Sequence, residues 1–160
     1  MTGAALRLRL AVNDSAPSAA RRALRRWLVR LGWPIEDIDD LVLATNEAVS
    51  NAVEHSAPAG QAGVVIRLDA DMAIRRDGTG QIVITVVDSG RWQPPPSGAG
   101  FRGRGMVLMR AVCESVQFHT TDSGTHIVLV SRPFPARPES LPVPRPPTPG
   151  MEKPPDRARD

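Results

Sequence analysis

Apolar and polar positions change their period several times along this chain, and each change marks an element. Leu6 to Val12 (LRLRLAV) alternates apolar with basic residues, the two-residue period of a half-buried strand. Asn13, Asp14 and Ser15 then offer helix-capping side chains. From Pro17 to Leu31 the apolar residues Ala20, Ala23, Leu24, Trp27, Leu28 and Leu31 follow helical spacing. The arginines Arg21, Arg22, Arg25, Arg26 and Arg30 take the complementary face, and Gly32-Trp33-Pro34 stops the helix. Ile38, Leu41, Val42, Thr45, Val49, Ala52 and Val53 predict a second helix over about Ile35 to His55. Its acidic start (Glu36, Asp37, Asp39, Asp40) suits the positive end of a helix dipole.

Two runs rich in β-branched residues follow, Gly63 to Asp71 and Gln81 to Val87, and the turn Asp77-Gly78-Thr79-Gly80 between them predicts an antiparallel hairpin. Asp88 to Gly105 is irregular. Met106 to about Glu114 reads as a short helix, and Ser115 to Thr120 with Thr125 to Ser131 as a second hairpin around Thr121-Asp122-Ser123-Gly124. Strand, two helices, hairpin, loop, helix and hairpin in that order predict an α+β fold. The expected architecture is a two-layer sandwich, a mixed, mostly antiparallel sheet with helices on one face.

Composition narrows this to one folded unit. Ten of the 16 prolines fall between Pro133 and Asp160, a stretch too poor in large apolar residues to pack. The domain is therefore expected over residues 4–132, with 133–160 a proline-rich disordered tail whose removal leaves stability nearly unchanged. No apolar run approaches the length of a membrane span, the N-terminus lacks the apolar core of a secretory signal, and Cys113 is the single cysteine. An internal disulfide and a multi-cysteine zinc site are excluded, and a reducing cytoplasm is the expected location.

The formal charge of +3 sits beside a pI of about 10.3 because Lys153 is the single lysine among 20 basic residues, and arginine stays protonated well above neutral pH. So small a surplus argues little for nucleic acid, and the arginine face of the first helix lacks interleaved aromatics. With Lys153 in the tail, the phosphate-binding loop that needs a lysine inside the fold is excluded.

Three features carry chemistry. Glu47 and Asn51 lie four apart on the second helix, opposite its apolar stripe, with Ala44 and Ala48 beside them leaving room for an approach. A carboxylate takes a proton, and an amide oxygen is a hard-cation ligand of the kind Mg²⁺ accepts. Asp88 closes an apolar strand, followed by Ser89 and Gly90, where a carboxylate can accept a hydrogen bond from the exocyclic amine of a base. Gly98 to Gly105 (GAGFRGRG) leads into a helix, where converging amides, the helix N-terminus, Arg102 and Arg104 favour an anion. Residues 98–103 spell G-x-G-x-x-G, yet they do not follow directly on a strand and too little chain remains for a doubly wound sheet.

NEAVSNAVEH at 46–55, VVDSG at 86–90, GRGM at 103–106 and GTHIVLV at 124–130 resemble, in order and spacing, the ATP-binding motifs of the GHKL superfamily. The chain is most similar to its anti-sigma-factor serine kinase branch, switch proteins that bind a sigma factor or phosphorylate an anti-anti-sigma partner. The resemblance implies that Glu47 polarises the attacking hydroxyl or water, that Asn51 holds the Mg²⁺ bridging the phosphates of ATP, and that Asp88 bonds the adenine amino group. It also places Gly90 in the adenine-side motif, Gly103, Arg104 and Gly105 in the lid over the phosphates, and Thr125 in support of the adenine side. His55 matches a frequent histidine position, where it caps or packs the helix end. One departure stands out: the family pattern D-x-G-x-G has a second glycine where this chain has Trp92, followed by Gln93 and three prolines.

The function implied is an ATP- and Mg²⁺-dependent serine/threonine kinase acting on an anti-anti-sigma partner and/or sequestering a sigma factor. No direct nucleic-acid or membrane contact is expected, and homodimerisation would use the edge of the first strand. The alternative is a catalytically inactive pseudo-kinase, an interaction module that keeps or has lost the nucleotide.

Overall fold

Each amphipathic strand of this chain has one apolar face to hide, and the computed structural model, which describes residues 5–55, 64–89, 104–121 and 124–135, shows how they hide it together. The elements are β1 (Leu6–Ala11), α1 (Ala16–Arg30), α2 (Ile35–His55), β2 (Val65–Ile74), β3 (Thr79–Asp88), α3 (Arg104–Val112), β4 (Ser115–Thr121), β5 (Gly124–Val130) and β6 (Phe134–Pro135). The sheet order is β1-β2-β3-β5-β4, with β6 pairing beside β3, and every described pairing is antiparallel. Because β5 lies between them, β3 and β4 run parallel without bonding, a split β-α-β unit crossed by α3.

Register aligns the apolar residues into rows across the sheet. Leu10 faces Ile66, Leu68 faces Val86, and Ile84 lies between Ala70 and Leu129. These residues are buried under α2, which packs on β2, β3 and β5, while α1 packs on α2 and β1. Most of the apolar stripe expected of each helix is buried, Ala20, Leu24, Trp27 and Leu28 on α1 and Ile38, Leu41, Val42, Thr45, Val49 and Ala52 on α2, while Ala23, Leu31 and Val53 at the stripe edges are half-buried. Ser15 occupies the cap position of α1, but its hydroxyl donates back to Asn13 Oδ1 (2.6 Å) and bonds no helix amide. The helix closes on Gly32, where the amide of Trp33 donates to the Leu28 carbonyl and that of Gly32 to Val29.

Cys113 is buried, and that burial pushes its thiol up to about 11, so it stays protonated and unreactive at neutral pH.

The packed chain continues past residue 132, where proline content placed the end of the domain. Beyond Ser131, whose hydroxyl accepts from the Ile82 amide (2.9 Å), Phe134 and Pro135 pair with Gly80 and Thr79 of β3. The Phe134 ring lies 5.7 Å from that of Trp33, which itself rests on Gly80. Local composition hid this contact because its partner, Trp33, is far away in sequence. Truncation after Arg132 is therefore expected to lower the melting temperature by several degrees, because the half-buried Phe134 ring is lost from the buried Trp33, a contact worth about 1–2 kcal/mol. Truncation after Pro135 is the reference, and equal melting of the two truncated chains would show that β6 contributes nothing.

Candidate functional site

Trp33, just before α2, packs on Gly80 near the start of β3, so α2 begins at that end of the sheet and runs toward the end that carries Asp88. Its 21 residues span about 30 Å, matching the roughly 33 Å of the ten-residue β3. Glu47 and Asn51, in the second half of α2, are thereby carried toward the Asp88 end.

Neither residue stands on an open face. Both are half-buried, and Ala44 and Ala48 beside them are fully buried. The reason is α3, which packs against α2. The room that the small residues seemed to leave for a ligand is taken up by packing within the chain. The close approach is made at Gly105: a Cβ there would stand 2.9 Å from Glu47 Oε2, 3.6 Å from Glu47 Cβ and 3.8 Å from Asn51 Nδ2. Gly105 is thus what lets the first turn of α3 lie against the Glu47–Asn51 pair. Arg104, the first residue of α3, is exposed beside it.

Asp88 and Thr125 form the second cluster. Positions 80, 82, 84, 86 and 88 of β3 share one face, so Asp88 points to the helix-covered side in line with Ile82, Ile84 and Val86. Thr125 is its direct partner on β5. The pair is 4% and 3% exposed, and the Thr125 hydroxyl has no hydrogen-bond partner among the described residues. A buried, unpaired hydroxyl beside a buried carboxylate costs free energy unless something polar joins them, which fits a ligand with donors and acceptors such as an adenine edge. Gly124 closes the cluster. Its φ is 148°, and a Cβ there would overlap the Asp88 carbonyl oxygen and lie 3.0 Å from Ser89 Cα. A shallow groove lined by Arg9, Val65, Arg67, Val87, Asp88 and Ser89 opens at the same end of the sheet.

Among the described residues no cluster of three or more acidic, His or Cys side chains could hold a metal ion. Mg²⁺ bound with a nucleotide takes one or two protein oxygens and completes its shell from phosphates and water. The Asn51 side chain carries an amide oxygen of the kind such an ion accepts. Gly90, Gly103, Arg102 and Trp92 lie outside the described residues. Sequence reasoning passed over Asn46, whose side-chain amide donates to Glu47 Oε1 (3.3 Å), and the steric role of Gly124. The inward direction of Asp88 was available from strand parity, since ITVVD puts it two residues after Val86.

A helix–helix layer over an antiparallel sheet, with an E-x-x-x-N pair on the central helix and an aspartate at the end of a central strand, defines a nucleotide-binding ATPase domain. The histidine kinase-like ATPase domain family matches residues 10–131, and the chain belongs to that family. It is a GHKL-type, histidine kinase-like ATPase domain. Among solved structures it is similar to the RsbU and RsbW domains of Rv1364c from Mycobacterium tuberculosis, at 28% identity and a TM-score of 0.62 over 82% of this chain. The match takes in 33% of that protein, so this chain spans about a third of its length. The histidine kinase domain of the blue-light activated histidine kinase EL346 from Erythrobacter litoralis matches at 17% identity and a TM-score of 0.49, over 76% of this chain and 63% of that one. No helix among the described residues is long and apolar enough to cross a membrane.

Proposed function

We propose that this protein is an ATP-dependent serine/threonine kinase of the anti-sigma type, transferring the γ-phosphoryl group to an anti-anti-sigma partner and/or holding a sigma factor. The observation that carries the reading is the buried Asp88–Thr125 pair with its unpaired hydroxyl, at the sheet end toward which α2 carries Glu47 and Asn51. In this reading Asp88 accepts from the adenine amino group and Thr125 supports the same edge. Asn51 gives its amide oxygen to Mg²⁺, which neutralises phosphate charge when bound. Glu47 orients the acceptor hydroxyl and takes its proton. Gly103, Arg104 and Gly105 serve as the lid over the phosphates, and Gly90 belongs to the adenine-side motif with Asp88. Catalysis then rests on positioning and charge neutralisation without a covalent enzyme intermediate. The kinship with the Rv1364c domains supports a partner of the anti-anti-sigma class, and β1, an edge strand, is the surface proposed for homodimerisation.

Titration calorimetry with and without Mg²⁺ tests the nucleotide step. Asn51→Ala is expected to weaken Mg-ATP much more than metal-free ATP, because the change removes a metal ligand and leaves the base contacts intact. No heat from the wild-type protein with millimolar ATP would end this reading.

A further inference from the structure

Asn46 is the residue before Glu47, and consecutive helix positions point about 100° apart, so their side chains do not ordinarily face each other. Here they meet because α1 intervenes. Arg21 of α1 donates through Nη1 to Asn46 Oδ1 and through Nη2 to Ser18 Oγ (2.9 Å). Asn46 Nδ2 then donates to Glu47 Oε1 (3.3 Å), and the other carboxylate oxygen, Oε2, lies against Gly105 of α3.

The polarity of this chain of contacts follows from chemistry. A guanidinium only donates, so the Asn46 amide must turn its oxygen to Arg21, and its NH₂ is left for a carboxylate that only accepts. A cation at one end and an anion at the other polarise the amide in the same sense, which strengthens both bonds. The Glu47 carboxylate thus accepts from Asn46 on the side of α1, while on the side of α3 it lies close to Gly105, where a Cβ would stand 2.9 Å from Oε2.

We propose that Asn46, anchored by Arg21, is a positioning residue that sets the orientation of the Glu47 carboxylate. The proposal rests on the reading of Glu47 as the group that orients the acceptor, and its spectroscopic arm stands without that reading. Asn46 touches no reacting atom. It acts by limiting the rotamers of Glu47, as a hydrogen bond of ordinary net strength does.

The test uses the full chain and its hydrolysis of Mg-ATP, with water as acceptor. Arg21→Met and Asn46→Leu are each expected to lower kcat about five- to tenfold, with KM for ATP within about twofold of wild type. Arg21→Lys, which keeps a donor for Asn46 Oδ1, is expected to restore most of the lost rate. The double variant Arg21→Met/Asn46→Leu should be no slower than Asn46→Leu alone, because both changes break one chain of contacts. In a ¹⁵N-labelled sample the Asn46 side-chain amide signals should move in Arg21→Met and again in Glu47→Ala. Multiplying rate losses in the double variant, or Asn46 signals unmoved by Arg21→Met, would overturn the proposal. If wild type hydrolyses no ATP with water, the same variants are compared in transfer to the cognate partner, where equal rates in Asn46→Leu and wild type would overturn the proposal. Absence of transfer by wild type would overturn the proposed function and leave the Asn46 signals to decide whether the contacts hold.

Discussion

Glu47→Gln is expected to cut phosphoryl transfer by roughly 10²–10⁴-fold while Mg-ATP still binds and the fold persists. A general base contributes in the transition state, where the acceptor proton is moving, and adds little to ground-state binding of the nucleotide. Glutamine keeps the volume of the side chain against Gly105 and keeps an oxygen that accepts from Asn46, so the packing of α2 on α3 survives the change. Glu47→Ala is the less clean variant. A surface reading of Glu47 makes the two equivalent, but the residue is half-buried between helices, and alanine would leave a gap there. The measurement is single-turnover transfer from labelled ATP to a cognate anti-anti-sigma partner, alongside calorimetric binding. Wild-type protein that binds ATP, phosphorylates no cognate partner and matches Glu47→Gln in partner binding would reassign the chain as an interaction module. Trp92→Gly, restoring the family's second glycine, would then be the first repair to try.

Gly124→Ala is expected to destabilise the protein by about 3–5 kcal/mol, a large fraction of the total stability of a domain this size. Two costs add at this position. The backbone φ of 148° disfavours any side chain, and the new methyl group would overlap the Asp88 carbonyl, a backbone atom held by the β3–β5 ladder. Gly78→Ala is the control, since its φ of 81° carries the conformational cost while nothing stands within 4 Å of the added carbon. That variant should lose only about 1–2 kcal/mol. Urea unfolding of both chains separates the two costs, and equal losses would show that the close approach to Asp88 yields freely. The folded fraction of Gly124→Ala should also bind ATP more weakly, because relief of the overlap moves Asp88.

Both predictions depend on contacts made between elements, and the same division separates what could be read along the chain from what could not. The strands and helices were legible from periodicity because burial of one face imposes a period of two or 3.6 on the residues themselves. LRLRLAV reads as β1, one residue longer than observed, and the stripe from Ile38 to Val53 predicts α2 over its observed limits, Ile35–His55. The pairing of Glu47 with Asn51 was equally legible, because four residues is one turn of a helix whatever surrounds it.

What packs on that turn was not legible. Ala44 and Ala48 carry no mark that distinguishes a floor for a ligand from a floor for α3, and the structure assigns them to the packed interior. Likewise, Phe134 sits in a proline-rich stretch and is held by Trp33, a partner that no local window contains. Asn46 was passed over because its side chain has meaning only once α1 brings Arg21 across.

By itself, then, the sequence determined the elements, their order, the ATPase-domain family and the residue types available for nucleotide chemistry, because local periods and motif spacings are properties of consecutive residues. Only the tertiary structure decided that Asp88 and Thr125 are direct partners in register, that Gly105 and Gly124 are points of close approach, and that Arg21 of α1 reaches Glu47 through Asn46. Those are contacts between residues distant in the chain, and they exist only after α2 is laid on the sheet and α3 on α2.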